Sequence, residues 1–201
     1  MADFTFAHRQ EGFDEHIDWS IRGYSNLLDD VVSLSRYFVE ANTNVVDIGC
    51  STGKLTARIL ELNEKYPDTS VNFIEDDIRN YEFENCSLIT SLFTLQFMPY
   101  SCREEVINNI YDGLNEGGAF IFGEKIDTSH SRIENMLRTV YYEFKSKSFD
   151  YEDIMQKELT LKNMLKPNSW CEIERMLDQA GFKAVQSFWQ NHLFIGAIAI
   201  K

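Results

Sequence analysis

Asp47, Gly49, Cys50, Ser51 and Gly53 are crowded into the stretch Asn44-Val-Val-Asp-Ile-Gly-Cys-Ser-Thr-Gly-Lys54, and their spacing can hold a ligand. Val45 and Val46 are β-branched and suit a central parallel strand, with Asp47 near its end. Gly49 and Gly53 let the backbone turn sharply and approach a ligand with no Cβ in the way. A helix following from Lys54 would aim its first amides at the same spot, where the carboxylate of a ligand would be satisfied. Two other nucleotide motifs fail on residues. The phosphate-binding loop needs a glycine five positions before Gly53 and Ser or Thr after the lysine, but Ile48 and Leu55 stand there. The dinucleotide fingerprint needs three glycines, and Gly49 and Gly53 supply two. On this motif alone, a plain strand-to-helix turn with no ligand stays open.

The other chemistry-bearing residues point to no metal or disulfide. Cys50, Cys86, Cys102 and Cys171 form no C-x-x-C pair and are expected as free thiols. His8, His16, His130 and His192 lack metal-ligand spacing. Glu75, Asp76 and Asp77 adjoin on an expected strand, whose alternating side chains cannot all converge on one ion. Tyr141, Tyr142 and Phe144 could wall a substrate, but at helical spacing they suit core packing. A net charge of −13 argues against broad contact with a nucleic-acid backbone, so no direct nucleic-acid binding is expected. The start Met1-Ala-Asp-Phe-Thr-Phe has neither a basic segment nor an apolar run, and no apolar stretch suits a membrane span, so a cytoplasmic location is expected.

Positioning these residues falls to alternating elements with short links, the pattern of a sheet covered on both faces. Strands are expected at 44–48, 70–74, 87–92, 119–125, 184–189 and 194–200, with helices at 25–40, 53–65, 102–114, 131–146 and 170–180. Gly117-Gly118 and Ala180-Gly181-Phe182 look like glycine helix ends. The last two strands, joined across Gln190-Asn-His192, should pair antiparallel at one sheet edge. A chain of 201 residues, 44% of them hydrophobic, can bury one full core, so residues 1–201 are expected to form a single domain.

The chain resembles the carboxy-S-adenosyl-L-methionine synthases over nearly its whole length. The resemblance is carried by Phe13-Asp-Glu, Gly23-Tyr-Ser-Asn26, Asp47-Ile-Gly-Cys-Ser51, Asp77-Ile-Arg79, Phe93-Thr-Leu-Gln-Phe97, Ile110-Tyr-x-Gly-Leu-Asn115, Gly117-Gly118, Glu124-Lys125, Gln156-Lys157 and Ala180-Gly-Phe182. It implies an α/β, Rossmann-like class I methyltransferase fold: a mostly parallel sheet with a C-terminal antiparallel hairpin. It also implies S-adenosylmethionine or its carboxylated form as cofactor. That family carboxylates S-adenosylmethionine with the carbon dioxide that prephenate releases, for tRNA wobble-uridine modification. By resemblance, Tyr24 would contact the cofactor, Gly49, Cys50 and Ser51 would line its methionine end, and Asp77 and Ile78 would sit at the adenine.

Three departures from the family pattern follow. Where the family has a strand, a helix and another strand, this chain runs directly through Ser70-Val-Asn-Phe-Ile-Glu-Asp-Asp-Ile78. One edge strand and its helix should therefore be missing, leaving 70–74 at or next to the edge and Asp76 as the candidate for the ribose hydroxyls. The trimmed edge offers a place for a partner strand of a homodimer or for the N-terminal segment. The family asparagine before Phe-Thr-Leu-Gln-Phe is here Leu92, and the arginine after Gln-Lys, implied to grip the cofactor's extra carboxylate, is here Glu158. Either another cation such as Arg22 supplies that charge, or the ligand is ordinary S-adenosylmethionine. Arg22 and Tyr24 are thus the candidates for chemistry, and prephenate-driven carboxylation should be poor unless Arg22 stands in. A small-molecule methyltransferase and a non-catalytic S-adenosylmethionine-binding protein are the alternatives.

Overall fold

Alternate residues of a strand face opposite sides of a sheet, and here both sides are apolar, so the sheet must be covered twice. The computed structural model describes residues 12–66 and 69–201. The expectations resting on Met1–Phe6 and His8 lie outside the described residues. In chain order the elements are α1 (Phe13–Ser20), α2 (Tyr24–Ser35), β1 (Asn44–Ile48), α3 (Lys54–Leu62), β2 (Cys86–Leu92) and α4 (Tyr100–Gly113). They continue with β3 (Leu114–Asp127), α5 (Ser131–Lys145), α6 (Tyr151–Met164), β4 (Asn168–Ser169), α7 (Trp170–Ala180), β5 (Ala184–Asn191) and β6 (Phe194–Ile200). A 3-10 turn occupies Leu95–Phe97.

The strand order is β1-β2-β3-β6-β5, with the short β4 alongside the end of β3. Pairings among β1, β2, β3 and β4 are parallel, whereas β6 runs antiparallel to both β3 and β5. This mostly parallel sheet with a closing antiparallel hairpin is the class I methyltransferase architecture. Leu88, Ala119 and Ile121 bury against Leu27, Leu28 and Val31 of α2 and Leu55 and Ile59 of α3. Ile89, Phe120 and Phe122 bury on the other side against Val106 and Ile110 of α4 and Ile173 and Leu177 of α7. Helix α7 is closed at both ends: Ser169 Oγ accepts from the Glu172 N–H, the Glu172 carboxylate accepts from the Ser169 N–H, and Gly181 ends it in the left-handed region.

One expected element is absent. Residues 70–74 form no strand; the chain there pairs with no other strand, and β1 is the sheet edge among the described residues. The trimming is deeper than one strand and its helix. A parallel strand needs cover on both faces, and among the described residues no helix follows to supply the second. Phe73 and Ile74 are accordingly 76% and 62% exposed. Two helices also escape the sequence pattern. Helix α1 is only 8 residues long, and α6 buries only Ile154, so neither carries a broad apolar stripe. Their available signals were acidic first turns, Asp14-Glu15 and Glu152-Asp153.

Candidate functional site

The turn after β1 is held in a strained conformation. Gly49, Ser51 and Gly53 have φ of 71°, 50° and 75°, and a Cβ on Gly49 would stand 2.3 Å from Thr94 Oγ1. Thr94 is fixed there because its hydroxyl donates to the Ile48 carbonyl, at 3.2 Å. Gly49→Ala therefore meets both a left-handed backbone and a hydroxyl. It is expected to lower stability by about 1–2 kcal/mol and to open the turn, read as a lower melting temperature and lost ligand affinity. Helix α3 begins at Lys54 with no side-chain cap hydrogen bond, so its first amides are free of side-chain acceptors among the described residues.

A cleft lies over this turn, lined by Tyr24, Asp47, Gly49, Cys50, Ser51, Thr52, Lys54, Leu55 and Leu92, with Phe13, Asp14 and Ile17 of α1 closing one side. Helix α1 is tied to the turn where the Thr52 hydroxyl donates to Asp14, at 3.2 Å. In the cleft floor, the Asp47 carboxylate accepts from Thr56 Oγ1 at 2.8 Å and from Thr90 Oγ1 at 2.9 Å. Burial raises the Asp47 pKa, and the two hydroxyls oppose that rise. Burial, followed by the charges of Asp14, Asp18 and Asp47, pushes the Tyr24 phenol up to about 12. Tyr24 is therefore a neutral hydroxyl at physiological pH and cannot act as a phenolate base.

The segment Phe93–Phe97 joins the cleft to the sheet interior through a buried polar bracket. Phe93 has a φ of 58° and donates its N–H to the Gly123 carbonyl at 2.7 Å. Gln96 Oε1 accepts from the Lys125 N–H at 2.7 Å. Arg103 Nη2 donates to the Gln96 and Met98 carbonyls at 3.2 and 2.8 Å, and Nη1 donates to Asn168. Glu124, buried under the same segment, is pushed up to about 8 by burial, against the pull of Arg103 and of the Leu95 and Gln96 N–H groups. The Phe-Thr-Leu-Gln-Phe stretch thus gives Gln96 a structural role behind the cleft, while Thr94 supports Gly49 in front.

Past the aromatic series Tyr24, Phe93 and Phe194, whose neighbouring ring centroids are 6.1 and 5.7 Å apart, lies a second polar group. Lys125 on β3 and Arg138 on α5 both face Glu158 Oε2 of α6, at 3.9 and 3.7 Å. Arg138 is shared with Glu134 of its own helix, at 2.6 Å. Lys125 lies over the Tyr141 and Phe194 rings, and its pKa is lowered by burial, which the charge of Glu158 opposes.

Of the residues singled out in sequence, Tyr24, Asp47, Gly49, Cys50, Ser51 and Leu92 line the cleft together. Gly53 turns the chain at the foot of α3, where a Cβ would meet the Phe73 ring at 3.7 Å. Asp76, Asp77 and Ile78 lie on the connection between α3 and β2, outside the lining. There Asp76 Oδ1 accepts from the Asp77 N–H at 2.7 Å, and the Asp77 carboxylate takes the Arg79 guanidinium. Arg22 is exposed, and its charge helps hold the His192 pKa down, after burial. Glu158 is no free surface acid. Asp14, Thr52, Thr94, Lys125 and Arg138 were not legible in the sequence as site residues. No local spacing joins them, although Asp14, Thr94 and Lys125 stood inside the quoted motifs. Among the described residues no cluster of metal-ligating side chains is present.

Comparison with known proteins gives one consistent group of sequence relatives. The chain is 34% identical to a carboxy-S-adenosyl-L-methionine synthase of Staphylococcus epidermidis, over 98% of this chain and 97% of that protein. Proteins of the same name from Shewanella oneidensis and Klebsiella pneumoniae are 32% and 31% identical, each across 100% of this chain and 94% and 92% of theirs. These alignments run over 221 to 229 positions against 201 residues here, so the relatives carry residues this chain lacks. No family model matches. Among solved structures, an O-methyltransferase family protein from Burkholderia thailandensis superposes with a TM-score of 0.62 at 18% identity, covering 98% of this chain and 61% of that one. Human N-acetylserotonin methyltransferase, in complex with SAM, gives 0.57 at 16%, covering 91% and 52%.

Proposed function

The chain belongs to the carboxy-S-adenosyl-L-methionine synthase family, and from that premise we propose that it binds S-adenosylmethionine in the cleft over the Gly49–Gly53 turn and carboxylates it. The observation that carries this reading is the turn itself. Gly49 presents backbone rather than a side chain to the cleft, Ser51 and Gly53 take the left-handed conformations that turn the chain beneath it, and the uncapped amides of α3 together with Lys54 suit the carboxylate of a methionine moiety. Asp47 places a carboxylate in the floor, suited to a cationic ligand, and Ile17, Leu55 and Leu92 supply apolar contact.

When bound, S-adenosylmethionine would supply an acidified methyl group as acceptor for carbon dioxide released by prephenate, the methyl proton and the hydroxide that prephenate loses leaving together as water. The residues orient the partners and exclude water. Tyr24 offers a neutral hydroxyl, and the buried rings of Tyr24, Phe93, Phe194 and Tyr141 pack in series behind it toward Lys125. We assign the nucleoside to the connection carrying Asp76, Asp77 and Ile78, because Phe73 of that connection packs beside Gly53 at the foot of the turn. The product fits a cytoplasmic supply of carboxymethyl donor for tRNA modification, and the open edge of β1 is where a second copy would pair.

Calorimetry with S-adenosylmethionine, followed by incubation with prephenate and mass analysis, tests this reading. Micromolar binding and a product heavier by one carbon dioxide are expected. Binding only above millimolar concentration sinks it, and a product methylated on some other acceptor favours a conventional methyltransferase. Asp76→Ala is expected to weaken binding about tenfold, as loss of two hydrogen bonds to a ribose would.

A further inference from the structure

We propose that Lys125 and Arg138 form a carboxylate-binding site behind the aromatic residues that back the cleft, and that Glu158 occupies it from within until a ligand carboxylate displaces it. This inference rests on the function proposed above and specifies how its anionic partner is held.

Three elements bring the group together, β3, α5 and α6, so no local sequence pattern produces it. Lys125 and Glu158 side chains are 8% and 15% exposed, in a chain whose net charge is −13. A lysine that deep needs an anion. The anion it has is poorly engaged. Both cations approach the same oxygen, Glu158 Oε2, at 3.9 and 3.7 Å, beyond hydrogen-bond length. Glu158 therefore neutralises the pair from beyond hydrogen-bond range, while Glu134 and Tyr142 take the hydrogen bonds of Arg138. A free carboxylate has no backbone tether, and it can take a guanidinium edge-on and the ammonium at about 2.8 Å.

Position also favours a ligand. Gly123 pairs with Leu92 of the cleft wall. Lys125, two residues or about 7 Å farther along β3, projects from the same sheet face. The Phe194 ring beneath Lys125 continues through Phe93 to Tyr24, so a series of buried ring contacts links the cleft wall to the cationic pair. The remaining charges set the balance. Glu134 holds the other edge of Arg138, and Asp127 is near enough to Lys125 and Arg138 for each to act on its titration. With Glu158 in place the pocket holds no surplus positive charge; with Glu158 swung away, Lys125 is left to the ligand.

The ligand carboxylate has two possible sources, prephenate and the new carboxyl group of carboxy-S-adenosylmethionine. The test measures affinities of the full chain for S-adenosylmethionine, its carboxylated form and prephenate, in the wild type, Glu158→Gln and Arg138→Leu. The readout is the affinity for each carboxylate ligand relative to that for S-adenosylmethionine. Glu158→Gln should raise that ratio about tenfold and Arg138→Leu should lower it about tenfold, the change expected for one partly buried charge pair. A shift with the carboxylated nucleoside alone assigns the site to the product carboxylate, and a shift with prephenate alone assigns it to the substrate; either supports displacement. A ratio that is unmoved or lowered in Glu158→Gln overturns it. A wild type that binds neither nucleoside overturns the proposed function instead.

Discussion

Arg103→Met is expected to cost the fold about 3–5 kcal/mol, the range for stripping one partner from a buried charged network. Arg103 is only 5% exposed, and it carries hydrogen bonds to the Gln96 and Met98 carbonyls and to Asn168. Methionine fills the volume but satisfies none of them. Glu124 then loses the positive charge that offsets its burial, so its carboxyl is driven further above the ordinary value of 4.5. The pH dependence follows from that sign. In the wild type the unfolded chain releases this proton from 4.5 upward, while the folded chain keeps it until about 8. Glu124 therefore costs no stability below 4.5, and the chain loses stability as pH rises through the window, at up to about 1.4 kcal/mol per unit. Both folded forms keep the proton up to about 8, so urea titrations at pH 5 and about pH 9 should show Arg103→Met falling further behind the wild type at the higher pH, and Arg103→Met/Glu124→Gln recovering part of the loss. A single variant within 1 kcal/mol of wild type at both pH values would mean the bracket is not under the constraint described.

Asp47→Ala should weaken S-adenosylmethionine binding about a hundredfold or more, for two separable reasons. Its carboxylate pins Thr56 of α3 to Thr90 of β2, and so fixes the geometry of the turn between them. It also places a negative charge in the floor of a cleft proposed to receive a cation. Asp47→Asn keeps the shape and one acceptor while removing the charge, and about a tenfold loss is expected. Because burial raises the Asp47 pKa, affinity should begin to fall on acidification at a higher pH than an exposed aspartate would give, and Asp47→Asn should abolish that fall. Calorimetry across pH checks both statements. Equal losses in the two variants would assign the whole effect to geometry.

Much of the frame was legible locally. The run from Asn44 to Lys54 specifies a strand, a left-handed turn and a helix because β-branching and glycine act over a few bonds. The spacing of Ala184–Trp189 and Phe194–Ile200 around a short polar link likewise specifies the closing hairpin. Quoted motifs identified the family without saying what each residue does. Gln96 is an example: its place in the Phe-Thr-Leu-Gln-Phe stretch was visible, while its role as a bracket to Lys125 depends on a strand nearly thirty residues away. Residues 70–74 show the reverse case. Their alternating Val71 and Phe73 suit a strand, yet they remain unpaired and exposed, because a parallel strand exists only where other segments cover both its faces. Glu158 belongs to the same class. In sequence it is a bare charge reversal, and its meaning comes from Lys125 and Arg138, brought to it by two other elements. Backbone conformation and helix ends are set by neighbours in the chain, so the sequence alone determined them. Pairing, burial and the balance of buried charge are set by neighbours in space, so only the tertiary structure decided them.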